Sequence, residues 1–165
     1  MPLISTGEKA PDFTLPSTDG KPVPLKEVLQ KSPATLLVFY KDTCPTCQFT
    51  LPYIEKIYKS YKDKGLAVVG IEQDDAQRAG AFSKQYGLTF PALIDQNNYK
   101  VSYAYGIDTV PTMILVEKDV KVSAVSVGFV KDELAALSKQ ISTLLGAEPT
   151  EIFKPGEYVP AIKPG

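Results

Sequence analysis

Two kinds of apolar pattern alternate along this chain, short unbroken runs and longer stretches with helical spacing. "TLLVFY", residues 35–40, is a continuous run of β-branched, aliphatic and aromatic residues, and it predicts a strand buried on both faces. "GLAVVGIEQ" and "FPALID" predict two more buried strands. Between the first two, from Cys44 to about Tyr61, apolar residues recur at helical spacing: Phe49, Tyr53, Ile54, Ile57, Tyr58 and Tyr61. Pro52 falls inside this helix and is expected to kink it. "DDAQRAGAFSKQYG" has an acidic start, a helical middle and Gly87 as C-cap. "YKVSYAYGI" predicts a short helix ending at Gly106. "TMILVE" and "KVSAVSVGF" predict two strands that only "KDV" separates, which makes them a hairpin. "KDELAALSKQISTLLG" predicts a final amphipathic helix with Leu134, Leu137, Ile141 and Leu144 on one face.

The ends of the chain are patterned differently. The first 33 residues are rich in proline and turn signals; "DFTLP" and "KPVPL" flank "STDG" and predict two short extended pieces around a turn. From Ala147 onward, prolines at 149, 155, 160 and 164 interrupt a stretch without periodicity, expected to lie extended over the surface or loose. Strands alternating with helices, then a hairpin and a helix, define an α/β sheet with helices on both faces. We therefore expect one domain over residues 1–147, with its core at about 33–146, and a proline-containing tail over 148–165.

Composition narrows the function classes. A chain of 165 residues with 44% hydrophobic residues suits one well-buried core. The net charge is −1, Arg78 is the single arginine, and no run of basic residues exists, so neither nucleic acid nor an anionic membrane is an expected partner. No apolar stretch approaches the roughly 20 residues that span a bilayer. "MPLISTGEKA" lacks the apolar core of a signal peptide. The expected location is cytoplasmic if the chain is complete, and periplasmic or otherwise extracytoplasmic if a leader was removed.

The candidate chemistry lies in "KDTCPTCQFTLPY", which holds both cysteines of a chain without histidine or tryptophan. The CPTC motif follows a strand and opens a helix. Unpaired N–H groups and a partial positive charge at that helix end favour an anion, so Cys44 is the expected attacking thiolate. Cys47, one turn further in, is the expected resolving thiol, more buried and less acidic. A zinc site needs two more soft ligands, and neither a histidine nor a third cysteine exists to supply them within one chain. A structural staple across a two-residue gap removes little chain entropy. Far downstream, "GIDTVPTMILVE" sets Pro111 after Val110 at the start of a strand, where an X-Pro bond adopts cis or trans.

Taken together, these motifs resemble the thioredoxin superfamily. The likeness is to the TlpA/ResA-type thiol–disulfide oxidoreductases and the neighbouring AhpC/TSA, peroxiredoxin-like group, and it covers about residues 7–145. "GEKAPDFTLPSTDGKPVPL" is similar to the opening of both groups, CPTC to the redox motif, Pro52 to the kink proline and "VPT" at 110–112 to the cis-proline loop. "FSKQYGLTFPALID" and "YAYGI" resemble the inserted strand–helix segment of that branch. The resemblance implies a thioredoxin-like fold, a central mixed sheet flanked by helices, with an N-terminal extension and that insertion. It implies a dithiol–disulfide oxidoreductase in which Pro45 and Thr46 lie within the redox motif. Val110, Pro111 and Thr112 would form a substrate loop packed against the dithiol, with the backbone of Val110 offered to a substrate strand. No cofactor or metal is implied beyond the Cys44–Cys47 couple. The implied partners are protein or small-molecule disulfides and an upstream thiol reductant.

The chain also departs from the pattern. Thr43 stands where the family usually has tryptophan, and Val38 where thioredoxin carries a buried aspartate. A proton acceptor for Cys47 then has to come from elsewhere, with Asp74 ranked first and Glu72 second. "EQDD" reads more readily as a solvated strand end and helix cap than as an acceptor site. The rival reading is a peroxiredoxin-like thiol peroxidase. Against it, Lys41 occupies the place of the threonine three residues before the cysteine, and Arg78 is not where an arginine would serve a peroxidatic thiolate. A third reading is a thioredoxin-fold binding module with a vestigial motif.

Overall fold

A computed structural model describes residues 1–165. Its centre is a five-stranded mixed sheet built on β3 (Ala34–Tyr40), in which every residue is buried. A strand covered on both faces needs no alternation, which is why its sequence is an unbroken apolar run. β4 (Leu66–Glu72) pairs with it in parallel, and β5 (Ala92–Ile94) pairs in parallel with β4. On the other side β6 (Thr112–Glu117) runs antiparallel to β3, and β7 (Val122–Val127) antiparallel to β6. The strand order is β5-β4-β3-β6-β7. It sets the carboxyl ends of β3 and β4 beside the start of β6, where the dithiol and the Val110–Thr112 loop meet.

The helix α2 (Pro45–Tyr61) lays Leu51, Ile54 and Ile57 into the core, each fully buried. Each such side chain contributes roughly 1.5–3 kcal/mol of transfer free energy. The helix continues through Pro52, whose missing N–H leaves the Gln48 carbonyl without its intrahelical donor. α3 (Ala76–Tyr86) starts at Asp75, whose carboxylate accepts the Arg78 N–H at 2.8 Å, and ends at Gly87 in the left-handed region. α4 (Lys100–Ala104) is a single short turn, and α5 (Lys131–Leu145) buries Leu134, Leu137 and Ile141. At the front of the chain, β1 (Thr14–Pro16) and β2 (Pro22–Pro24) form a small hairpin.

Two features depart from the pattern reading, and the tail follows one of its two expected courses. Leu25–Lys31 is a helix, α1, rather than the end of an extended piece. Its start at Pro24 carries no side-chain cap, but Leu25 and Leu29, one turn apart, are both buried. "KVSAVSVGF" is not one strand. Gly128, at φ +69°, breaks it, and the two-residue β8 (Phe129–Val130) follows. The tail lies on the surface and is docked there. Ile152 and Val159 are buried, the Thr150 N–H donates to the Tyr61 hydroxyl at 2.7 Å, and Phe153 packs against Tyr53. Its end forms β9 (Ile162–Lys163), antiparallel to β8.

Candidate active site

β3 ends at Tyr40, three residues turn, and Cys44 takes the N-cap position of α2. Its extended backbone turns the sulfur back over the first helical turn, where Sγ accepts the Cys47 N–H at 3.0 Å. Serine, threonine and aspartate usually fill this capping role with oxygen; here a sulfur fills it. Pro45 occupies the first helical turn, where its missing N–H costs nothing. Both cysteines are free thiols. Cys44 is 6% exposed and Cys47 is fully buried beneath it. Burial first, then the adjacent Cys44 thiol, push the Cys47 thiol well above the usual range, and the Glu72 carboxyl adds to the effect.

Across from the sulfur lies the loop before β6. The Val110–Pro111 peptide is cis, and the Cys44 thiol donates to the Val110 carbonyl at 3.5 Å. These residues are 66 positions apart in sequence. They meet because β3 and β6 are antiparallel neighbours, with Phe39 opposite Thr112. Thr112 is buried and donates from Oγ1 to the Thr109 carbonyl at 2.7 Å, while the Pro111 carbonyl accepts the Gly128 N–H at 2.8 Å. Thr46 is also buried, and its Oγ1 donates to the Pro164 carbonyl at 2.6 Å.

The two acidic candidates have different surroundings. Glu72 ends β4 directly opposite Tyr40 and is fully buried. Its Oε1 accepts the Asp74 N–H at 3.4 Å, and its Oε2 has no hydrogen-bond partner. Burial, followed by the Asp74 carboxylate beside it, raises its pKa to about 9. Asp74 points into a surface network instead. It accepts the Asp42 N–H at 2.8 Å and lies 3.3 Å from Arg78 Nη1, while Arg78 also bonds both carboxylate oxygens of Asp42. Burial alone would raise its pKa, but the Glu72 carboxyl, the Asp42 N–H and the Arg78 charge hold it below the usual carboxylate value. The helix cap in "EQDD" is Asp75, and Glu72 is interior rather than solvated. Arg78 therefore serves two carboxylates rather than the sulfur.

Two parts of the site had no place in the sequence reading. Tyr40 is buried with its hydroxyl unpartnered, and burial followed by Glu72 pushes that hydroxyl upward. The only signal for it is its place as the last residue of the apolar run. The contact of residues 164 and 165 with the site had no local signal. No group of three or more Cys, Asp or Glu side chains is arranged to hold a metal ion, and no helix is long and apolar enough to cross a membrane.

Known proteins with the same features support one assignment. The AhpC/TSA family model matches residues 6–125. A thiol-disulfide oxidoreductase ResA of Bacillus thuringiensis (strain Al Hakam) is 33% identical over 141 residues, which are 84% of this chain and 80% of the relative. ResA of Bacillus subtilis (strain 168) is 31% identical over 132 residues, 79% of this chain and 72% of the relative. Among solved structures, a candidate thiol:disulfide interchange protein DsbE from Chlorobium tepidum superimposes with a TM-score of 0.77 at 31% identity, over 87% of this chain and 99% of that one. The five-stranded mixed sheet, the cysteine pair opening a helix and these likenesses lead to one conclusion: the chain belongs to the AhpC/TSA family, within its thioredoxin-like, ResA-type thiol–disulfide oxidoreductases.

Proposed function

We propose that the chain exchanges its own dithiol with disulfides of proteins or small molecules, with Cys44 attacking and Cys47 resolving. The observation that carries this reading is the asymmetry of the pair. Cys44 caps α2 at the surface of the core, beside the Val110 carbonyl, whereas Cys47 lies fully buried behind it. The Cys44 thiolate attacks one sulfur of the incoming disulfide, forms a mixed disulfide, and expels the other sulfur as a thiolate that takes up a proton. The Cys47 thiol then loses its proton, attacks Cys44 Sγ and releases the second sulfur of the substrate. A Cys44–Cys47 disulfide remains, and an upstream thiol reductant restores the dithiol by the reverse exchange.

A thiol as buried as Cys47 needs a nearby group to hold its proton, and Glu72 is the residue we assign to this task. It titrates near 9, and its charge contributes to raising the Cys47 thiol. Its ionised form, a small fraction near neutral pH that grows as pH rises toward 9, takes the proton when Cys47 attacks. Its protonated form returns one when Cys47 leaves as a thiolate. The Val110–Thr112 loop forms the wall against which a substrate strand is held. Apart from the Cys44–Cys47 couple, this chemistry needs no cofactor.

The test compares reduction of insulin disulfides by dithiothreitol with consumption of hydrogen peroxide, for the wild type and Cys44→Ser. The proposal requires rapid insulin reduction that is lost in the variant. Peroxide consumption faster than disulfide exchange would favour a thiol peroxidase, and neither activity would favour a binding module.

A further inference from the structure

We propose that residues 161–165 form a strap that closes the groove beside Cys44 and must lift before a polypeptide disulfide reaches the sulfur. This rests on the proposed function in one respect, that Cys44 is the attacking thiol.

The strap touches both walls of the groove. On the α2 side, the Pro164 carbonyl accepts the Thr46 hydroxyl, which stands between the two cysteines. On the loop side, Gly165 lies against the Val110 carbonyl, the same oxygen that accepts the Cys44 thiol. A Cβ at Gly165 would stand 2.3 Å from that oxygen and 2.6 Å from Thr109 Cγ2, so no larger residue fits there without moving the strap. Its floor is β8, with Phe129 opposite Lys163 and Val130 opposite Ile162, and the Lys131 N–H donates to the Ala161 carbonyl at 2.9 Å. Cys44 and Thr46 are both buried in this arrangement.

Root and tip are held very differently. The root, residues 150–159, is anchored by side chains: Ile152 and Val159 are buried, Phe153 packs against Tyr53 and edge-to-face with Phe129, and the Tyr53 hydroxyl donates to Glu157 at 2.8 Å. The tip is held mainly by its backbone. Ile162 is 64% exposed, Ala161, Pro164 and Gly165 are exposed, and the Lys163 ammonium rests over the Phe49 ring at 5.3 Å. A segment with few buried apolar contacts opens at low free energy while its anchored neighbour stays in place. An extended substrate would engage this groove through the same backbone groups, so strap and substrate compete. A binding-competent form of fraction f weakens apparent affinity by 1/f, and a strap closed in nine molecules of ten costs about tenfold.

The experiment uses three reduced proteins: the wild type, a variant lacking residues 161–165, and Gly165→Ala. Circular dichroism and urea midpoints check that each is folded, and Gly165→Ala serves should the deletion not fold. Alkylation of Cys44 by a bulky polyethylene-glycol maleimide is timed by peptide mass spectrometry, and insulin reduction is measured in parallel. Opening the strap is expected to speed bulky alkylation by about tenfold. Rates within about twofold of the wild type in the folded variants, or slower rates, overturn the strap. Faster alkylation without insulin reduction in any of the three keeps the strap and removes the oxidoreductase reading.

Discussion

Replacing Glu72 with glutamine should change how stability depends on pH, and the size of the change follows from the site. Glu72 ionises near 4.5 in an open chain and near 9 in the fold, because burial and the Asp74 carboxylate oppose its charge. Between these values the folded protein keeps a proton that the unfolded chain has released. The stabilisation from protonated Glu72 is complete below about pH 4.5 and is lost as pH rises toward 9. One proton corresponds to about 1.4 kcal/mol per pH unit, so the wild type should lose roughly 3 kcal/mol between pH 5 and pH 7 from this group. Glutamine matches the protonated acid in shape and stays neutral at every pH, so Glu72→Gln removes the slope. The carboxylates with lowered values, such as Asp74 and Glu157, act below this window, and the buried tyrosines act above it. Urea unfolding of the reduced proteins at pH 5, 6, 7 and 8 measures the difference. Parallel stability curves for wild type and variant would refute the assignment of a neutral, buried Glu72.

Other predictions follow from different parts of the fold. Arg78→Ala should leave the urea midpoint close to that of the wild type, since the guanidinium is half exposed, and leave disulfide exchange within about twofold; a loss above tenfold would show that the guanidinium acts at the sulfur. Gly106→Ala should destabilise by about 1–3 kcal/mol, because φ is +71° and a Cβ would meet the Pro2 carbonyl oxygen at 2.0 Å. Hydrogen exchange at the Ile4 amide, which donates to the Tyr105 carbonyl, should speed up in that variant. Ile54→Ala should cost about 2–5 kcal/mol by leaving a cavity under α2, read by urea unfolding.

Much of the site was legible because its parts obey local rules. An apolar run with cover on both faces gives β3, helical spacing gives α2, and the cysteine pair falls at their junction. The Val110–Pro111 loop was reached by its motif, and the β3–β6 pairing explains the meeting across 66 residues. The burial of Glu72 was not legible. In a strand buried on both faces, alternation carries no information, so nothing local says that Glu72 is interior. That depends on what covers the end of β4. α1 escaped because its seven residues follow a proline-rich stretch and lack a capping side chain. The tail escaped because β9 is two residues long and its partner β8 exists only through the bend at Gly128. Neither feature leaves a periodic trace.

The division of labour between the two thiols is best examined with Cys47→Ser, incubated with a disulfide-bearing protein and analysed by mass spectrometry after acid quenching. The account predicts a stable adduct linked through Cys44, accumulating toward one equivalent, while Cys44→Ser forms none. A substrate released by Cys47→Ser at the wild-type rate, or an adduct linked through Cys47 in Cys44→Ser, would contradict it.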